Sequence, residues 1–167
     1  MKTNTVIASV LAAIVLTTAG ANAAVNVSFE NPEKFSDVSY SDFPNEKDRK
    51  YILEDIEEYM VDKLEDKVGD DKIVNVVVKN VDLAGEFEPW RRVMPDNRRI
   101  RSVYPARLAL DYEITDLDGN LIEKGSEKMT LMDHAVSFSL RNEDHPYVKE
   151  LINRWVGSLK VKNALKA

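Results

Sequence analysis

The chain of 167 residues contains no cysteine. This excludes a disulfide framework, a thiolate zinc site and a lipoprotein acyl anchor, which needs a cysteine at its cleavage point. Histidine occurs only twice, at His134 and His145. Each follows an aspartate, Asp133 and Asp144, but no H-E-x-x-H spacing accompanies them. The sequence therefore predicts neither a metal site nor a cofactor.

Motifs for covalent and nucleotide chemistry are also missing. The patterns G-x-S-x-G, G-x-G-x-x-G and G-K-[ST] do not occur anywhere in the chain. A serine nucleophile elbow and a phosphate-cradling loop therefore have no support. The sequence leaves catalysis open, but it favours a binding role over an enzymatic one.

The chain has no apolar run of the roughly 20 residues that cross a bilayer. Its N-terminal run, Val6 to Leu16, follows Lys2 and precedes small residues that end in Ala21-Asn22-Ala23. This three-part form predicts a cleavable signal peptide over residues 1–23. We expect one exported domain over residues 24–167, with no membrane span after cleavage.

Basic residues are fewer than acidic ones, at 23 against 29. Residues 1–23 hold Lys2 and no acid, so the mature chain has 22 basic and 29 acidic residues, a net charge of −7. This balance argues against nucleic acid as a partner. Arginine is nevertheless concentrated between residues 90 and 107, where Asp96 is the only acid. The six arginines are Arg91, Arg92, Arg98, Arg99, Arg101 and Arg107.

Hydrophobic periodicity predicts two helices and a set of strands. The predicted strands cover residues 25–29, 72–83, 99–104, 106–115 and 121–131, and the helices cover 45–68 and the segment opened by Asp144-His145-Pro146. We expect Asn45 and Asp144 to cap the helices, Asp118-Gly119 to form a hairpin turn, and Gly125 to mark a bulge or close packing. The order predicts a two-layer α+β fold with a mainly antiparallel sheet of about four to five strands and both helices on one face.

An acidic group lies where periodicity stops. Asp82, Glu86 and Glu88 precede Trp90, and such carboxylates beside an aromatic ring are typical of glycosidases. Loop carboxylates are common, however, and nothing in the sequence sets their separation. The simpler interpretation is that this segment is structural.

The arginines allow two interpretations as well. Guanidinium groups bind carboxylate and phosphate bidentately, so Arg91 and Arg92, on the loop, are candidates for binding an anionic partner. Arg99, Arg101 and Arg107 fall on predicted strands. There they can instead pair across the sheet with acids, the candidates being Asp111, Glu113, Glu123 and Glu127.

Three segments, Val27 to Phe35, Val81 to Pro89 and Tyr104 to Leu108, resemble domain-of-unknown-function family 3016. The run V-D-L-A-G-E-F-E-P is the most specific of them. Members are small exported proteins of Gram-negative bacteria, so the resemblance implies a periplasmic location and a single domain. It transfers no activity and no catalytic residues. Within this run we expect Gly85 to permit a turn, and Leu83 and Phe87 to hold the loop on the core.

These observations predict a non-catalytic periplasmic domain that binds or assists an envelope component through residues 82–101, where the arginines suit an anionic component. The alternative is a small hydrolase acting on cell-wall carbohydrate or a phosphorylated compound with the same loop. Pocket geometry separates the two hypotheses. An enzyme brings Glu86 or Glu88 together with an arginine in a concave site, whereas a binding module can present them on a flat surface.

Overall fold

The computed structural model of the chain describes residues 24–88, 98–131 and 136–161. The predicted signal peptide therefore lies outside the described residues. The main elements are β1 (Ala24–Phe29), α1 (Glu46–Val68), β2 (Lys72–Asp82), β3 (Ala106–Asp116), β4 (Leu121–Leu131) and α2 (Pro146–Ser158). The predicted α+β class is confirmed.

The four strands form one mixed sheet in the order β1-β2-β3-β4. β2, β3 and β4 pair antiparallel, as short connections allow, whereas β1 pairs parallel to β2 because α1 crosses over between them. The predicted strand at 99–104 is wrong. Tyr104 N–H donates to Arg101 O at 2.9 Å in a turn, and only Arg99 forms an isolated bridge, to Glu86. Pro105 explains the break, because proline supplies no N–H to a ladder.

The core lies between the sheet and the two helices. Leu108, Leu110 and Ile114 of β3 are buried, and Glu113 is exposed, as the alternation predicted. The buried side chains of both helices join those of β2 and β3 in one cluster, so both helices cover the same face of the sheet. Among the described residues, no helix has the length and apolar character to cross a membrane.

The helix ends follow the sequence signals with one exception. The Asn45 side chain accepts from the Asp48 N–H at 2.8 Å, which confirms the N-cap of α1. Pro146 is the first residue of α2, but the predicted cap by Asp144 is wrong. His145 precedes the helix in a left-handed conformation, with φ 49°, and no side chain caps the end. Its ring is instead held by groups outside the helix.

Gly125 marks a close approach between β4 and β3. A Cβ atom at this position would lie 2.9 Å from Cε1 of Tyr112, its partner across the strands. The prediction of close packing is confirmed. A register shift lies elsewhere in the sheet, where β2 passes from Val78 to Asn80 against β3.

Candidate functional site

The predicted site divides into residues inside and outside the described chain. Trp90, Arg91 and Arg92 lie outside the described residues, and their predicted roles stay predictions. The structure describes the other five on residues 82–88 and 98–101, which we call the two arms of the loop. They are Asp82, Glu86, Glu88, Arg99 and Arg101.

Two predicted carboxylates pair with arginines of the same region. Asp82 accepts from Arg107 at 2.5 Å across β2 and β3, so the expected cross-strand pairing of Arg107 is realised with a different acid. Burial raises the pKa of Asp82, although the bond from Arg107 opposes the shift. Glu88 is 3 % exposed and lies 3.3 Å from Arg101. The first contact ties the start of the loop to β3, and the second joins the two arms of the loop.

Glu86 has a different environment from its two acidic neighbours. It is exposed, and its carboxylate accepts from the Phe87 N–H at 3.0 Å. Its backbone exchanges two hydrogen bonds with Arg99, at 2.8 and 3.1 Å. Phe87 and Leu83 are buried, so the expected anchoring of the loop on the core is confirmed.

Arg98 joins the two arms of the loop to the segment before α1. Its guanidinium pairs bidentately with Asp37, donates to Ser39 O at 2.8 Å and Gly85 O at 2.9 Å, and lies 4.6 Å from the ring of Phe87. Arg98 is one of the six clustered arginines, but the sequence predicts no role for it, since nothing in the local pattern identifies Asp37 as its partner.

Gly85 makes this arrangement possible. Its φ of +88° is a conformation that favours glycine, and a Cβ atom would lie 2.8 Å from Arg99 O. The turn predicted at Gly85 is therefore confirmed. It brings the two arms close enough for Arg98 to reach the Gly85 carbonyl.

An apolar cavity of about 170 Å³ opens between this loop and the start of α2. We call it the apolar cavity. Leu83, Ala84 and Ile100 form one wall, and Tyr147 and Val148 belong to the opposite element, α2. Its polar members are Tyr40, Arg98 and His145. Neither Glu86 nor Glu88 lines it.

A chain of polar contacts runs from the edge of the cavity into the protein. His145 Nε2 lies 3.0 Å from the Tyr40 hydroxyl, and Nδ1 lies 2.7 Å from Asp55. The ionised Asp55 can only accept, so Nδ1 carries a proton, and Nε2 of a neutral ring accepts from Tyr40. Lys149, also buried, donates to the other Asp55 oxygen at 2.9 Å.

The environment keeps both ends of this chain protonated at neutral pH. Burial raises the pKa of Tyr40 to about 12, and the nearby carboxylates Asp144, Asp55 and Asp48 add to the shift. Burial alone would lower the pKa of Lys149, but its bonds to Asp55 and Glu143 raise it above the ordinary value. A phenol with a raised pKa is a hydrogen-bond donor rather than an activated nucleophile.

Beyond Asp55 the surface opens into a groove of about 890 Å³ along α1. We call it the acidic groove, because its lining has seven carboxylates against two lysines, Lys63 and Lys149. The carboxylates are Glu54, Asp55, Glu57, Glu58, Asp62, Glu65 and Glu143. No group of three or more potential metal ligands occurs in the part of the chain that the structure describes.

This network is not predictable from local sequence patterns, because its members are far apart in the chain. Tyr40 lies in a segment whose composition indicated only a loop, and His145 was assigned to the start of a helix. Asp55 and Lys149 were charged positions on helices, which are ordinarily solvated. Only the packing of α2 against α1 brings them together.

Comparison with known families gives one match. A family model described as "Protein of unknown function (DUF3016)" matches residues 23–158. The resemblance seen in the run from Val81 to Pro89 is therefore confirmed. Comparisons with curated proteins and with solved structures find no significant match.

Proposed function

We propose that this chain, which belongs to the DUF3016 family of proteins of unknown function, is an exported periplasmic protein that binds or assists another component of the cell envelope. The signal-peptide pattern of residues 1–23 supports export. Binding takes place where the loop of residues 82–101 meets the start of α2.

The apolar cavity is the observation that carries this proposal. It is concave and mostly apolar, with a few convergent polar groups at Tyr40, Arg98 and His145. Ligand sites commonly have this composition. Arg98 is held by four hydrogen bonds to three residues on two neighbouring segments, so one wall of the cavity is fixed before a ligand arrives.

The hydrolase alternative receives no comparable support. It requires Glu86 or Glu88 beside an arginine in a concave site. Glu88 is buried against Arg101, Glu86 is exposed, and neither lines the apolar cavity. The described arrangement therefore favours binding over hydrolysis.

Site-specific photocrosslinking in living cells tests the proposal. A photoreactive amino acid replaces Ile100 or Tyr147 at the cavity, and Thr130, an exposed residue of β4, serves as the control. We expect a discrete crosslinked product in the periplasmic fraction from positions 100 and 147 and none from position 130. Equal crosslinking at all three positions, or none at any, overturns the proposed site.

A further inference from the structure

The apolar cavity and the acidic groove adjoin at His145 and Asp55 and together form one candidate surface. His145 lines the cavity, Asp55 lines the groove, and a 2.7 Å hydrogen bond joins the two side chains. Lys149 lines the groove and bonds the same carboxylate. The two concavities therefore lie side by side, and one extended ligand can contact both.

We propose that this surface binds a basic polypeptide segment of a partner protein. One apolar side chain of the segment fills the apolar cavity, and neighbouring lysine or arginine side chains lie along the acidic groove. This inference rests on the proposed binding function and specifies the chemistry of the partner.

Charge complementarity within the groove supports a cationic occupant. The two lysines of the lining already have local partners. Lys149 pairs with Asp55 and Glu143, and Lys63 lies 5.1 Å from the ring of Tyr59. Counting Lys50, which lies 3.7 Å from Glu54, the seven carboxylates outnumber the ammonium groups by four, and several carboxylates are exposed, among them Glu58 and Glu65. A row of exposed carboxylates attracts a basic chain most strongly at low salt.

Aromatic faces between the two concavities favour the same kind of ligand. The rings of Tyr51 and Tyr40 lie 6.1 Å apart, and the ring of Tyr40 stacks on His145 at 5.6 Å. Tyr40 is 48 % exposed and Tyr51 is 55 % exposed. Asp48 contacts the Tyr40 N–H at 3.3 Å. Lysine and arginine bind aromatic faces by cation–π attraction, and adjacent carboxylates strengthen that attraction.

An anionic occupant fits this surface less well. Among the described arginines near the cavity, Arg98 pairs with Asp37, Arg101 with Glu88 and Arg107 with Asp82. An anion would have to compete with these carboxylates for the guanidinium groups. At the groove a cation meets an excess of carboxylates, although Lys50, Lys63 and Lys149 already lie near some of them.

Binding of defined peptides to the purified protein tests the inference. The probe is a fluorescein-labelled peptide with two lysines on each side of a central leucine, measured by anisotropy. We expect it to bind more tightly than a counterpart with glutamate in place of lysine, and more weakly as salt rises. Replacing the central leucine with serine should weaken binding by roughly 10- to 100-fold, because the cavity then buries no apolar side chain.

Matched variants of the protein locate the charge effect. The double variant Glu58→Gln with Glu65→Gln, both in the groove, should reduce the affinity for the lysine peptide by roughly threefold or more. Glu113→Gln with Asp118→Asn changes the net charge equally at exposed positions outside the groove and should have no effect. An equal loss in both double variants would show attraction to the whole protein and would overturn the inference.

The inference of a basic partner and the proposed binding function can be refuted separately. If the glutamate peptide binds as well as the lysine peptide while position 100 still captures a partner in cells, the basic partner is wrong and the binding function stands. If the crosslinks are absent as well, the proposed function itself fails.

Discussion

The contact between Gly125 and Tyr112 permits a sharp test of the sheet register. Replacing Gly125 with alanine places a Cβ atom 2.9 Å from Cε1 and 3.0 Å from the hydroxyl oxygen of Tyr112. The ring cannot easily withdraw, because it packs on Trp155 at 5.5 Å and its hydroxyl donates to Glu123 at 3.1 Å. The substitution therefore overpacks this part of the sheet.

Two opposing effects set the expected magnitude. Overpacking in a well-packed site costs about 1–3 kcal/mol. Alanine recovers roughly 0.5–1 kcal/mol, because glycine loses more backbone entropy on entering a strand. Gly125→Ala should therefore destabilise the protein by about 1–2 kcal/mol. With Tyr112→Leu already present, the clash is removed and the same change should stabilise by roughly 0.5–1 kcal/mol.

Urea denaturation of the four proteins of this double-mutant cycle, followed by circular dichroism, measures the coupling. Each protein with Gly125→Ala is compared with the protein that differs from it only at position 125. The essential result is that the change in unfolding free energy caused by Gly125→Ala reverses its sign when Tyr112 is replaced with leucine. An equal cost of Gly125→Ala with tyrosine and with leucine at position 112 would mean that the two residues do not face each other across β3 and β4.

Further predictions concern the core, acid stability, the Tyr40 phenol and export. Leu110→Ala should cost about 2–5 kcal/mol in urea denaturation, whereas Asp111→Ala should cost much less; equal shifts of the midpoint would contradict the register of β3. Burial alone would raise the pKa of Glu150, but bonds from the Ser137 and Arg154 groups lower it below its ordinary value of 4.5. Its contribution to stability is therefore present above about pH 4.5 and lost as the pH falls through the lower folded value, so Glu150→Gln should flatten the fall in melting temperature on acidification. Because burial raises the pKa of both Tyr40 and Tyr112 to about 12, Tyr40→Phe should reduce, by the contribution of one tyrosine, the phenolate absorbance that appears about two pH units above that of an ordinary tyrosine. Mass spectrometry of the periplasmic fraction should find a chain that begins at Ala24, and a membrane-retained product carrying residues 1–23 would contradict export.

The sheet was largely predictable from sequence because alternation and turn chemistry are local. Leu110 and Glu113 alternate between core and solvent as the pattern indicates, and Asn45 caps α1 as its side chain allows. The segment at 99–104 failed for an equally physical reason. Its alternation is genuine, but Pro105 follows it and, among the described residues, only the bridge from Arg99 to Glu86 forms before the chain turns.

The candidate site was predictable only in part. The loop around Asp82 was identified from its composition, and its carboxylates do meet arginines. The partners of Arg98 and His145, however, lie 61 and 90 residues away, at Asp37 and Asp55. No local spacing encodes such pairs, since they depend on how α1, α2 and the loop pack.

The parallel pairing of β1 determines which strand forms the exposed edge of the sheet before the sheet is complete. Ala24 pairs with Ile73, so β1 gains its neighbour only after 49 further residues are available. Until then it has no ladder to join, and β2, rich in valine, carries the exposed sheet edge in its place. A β-branched, apolar edge is a template for pairing between chains. Pairing of the six residues of β1 therefore covers this edge of β2 within the chain.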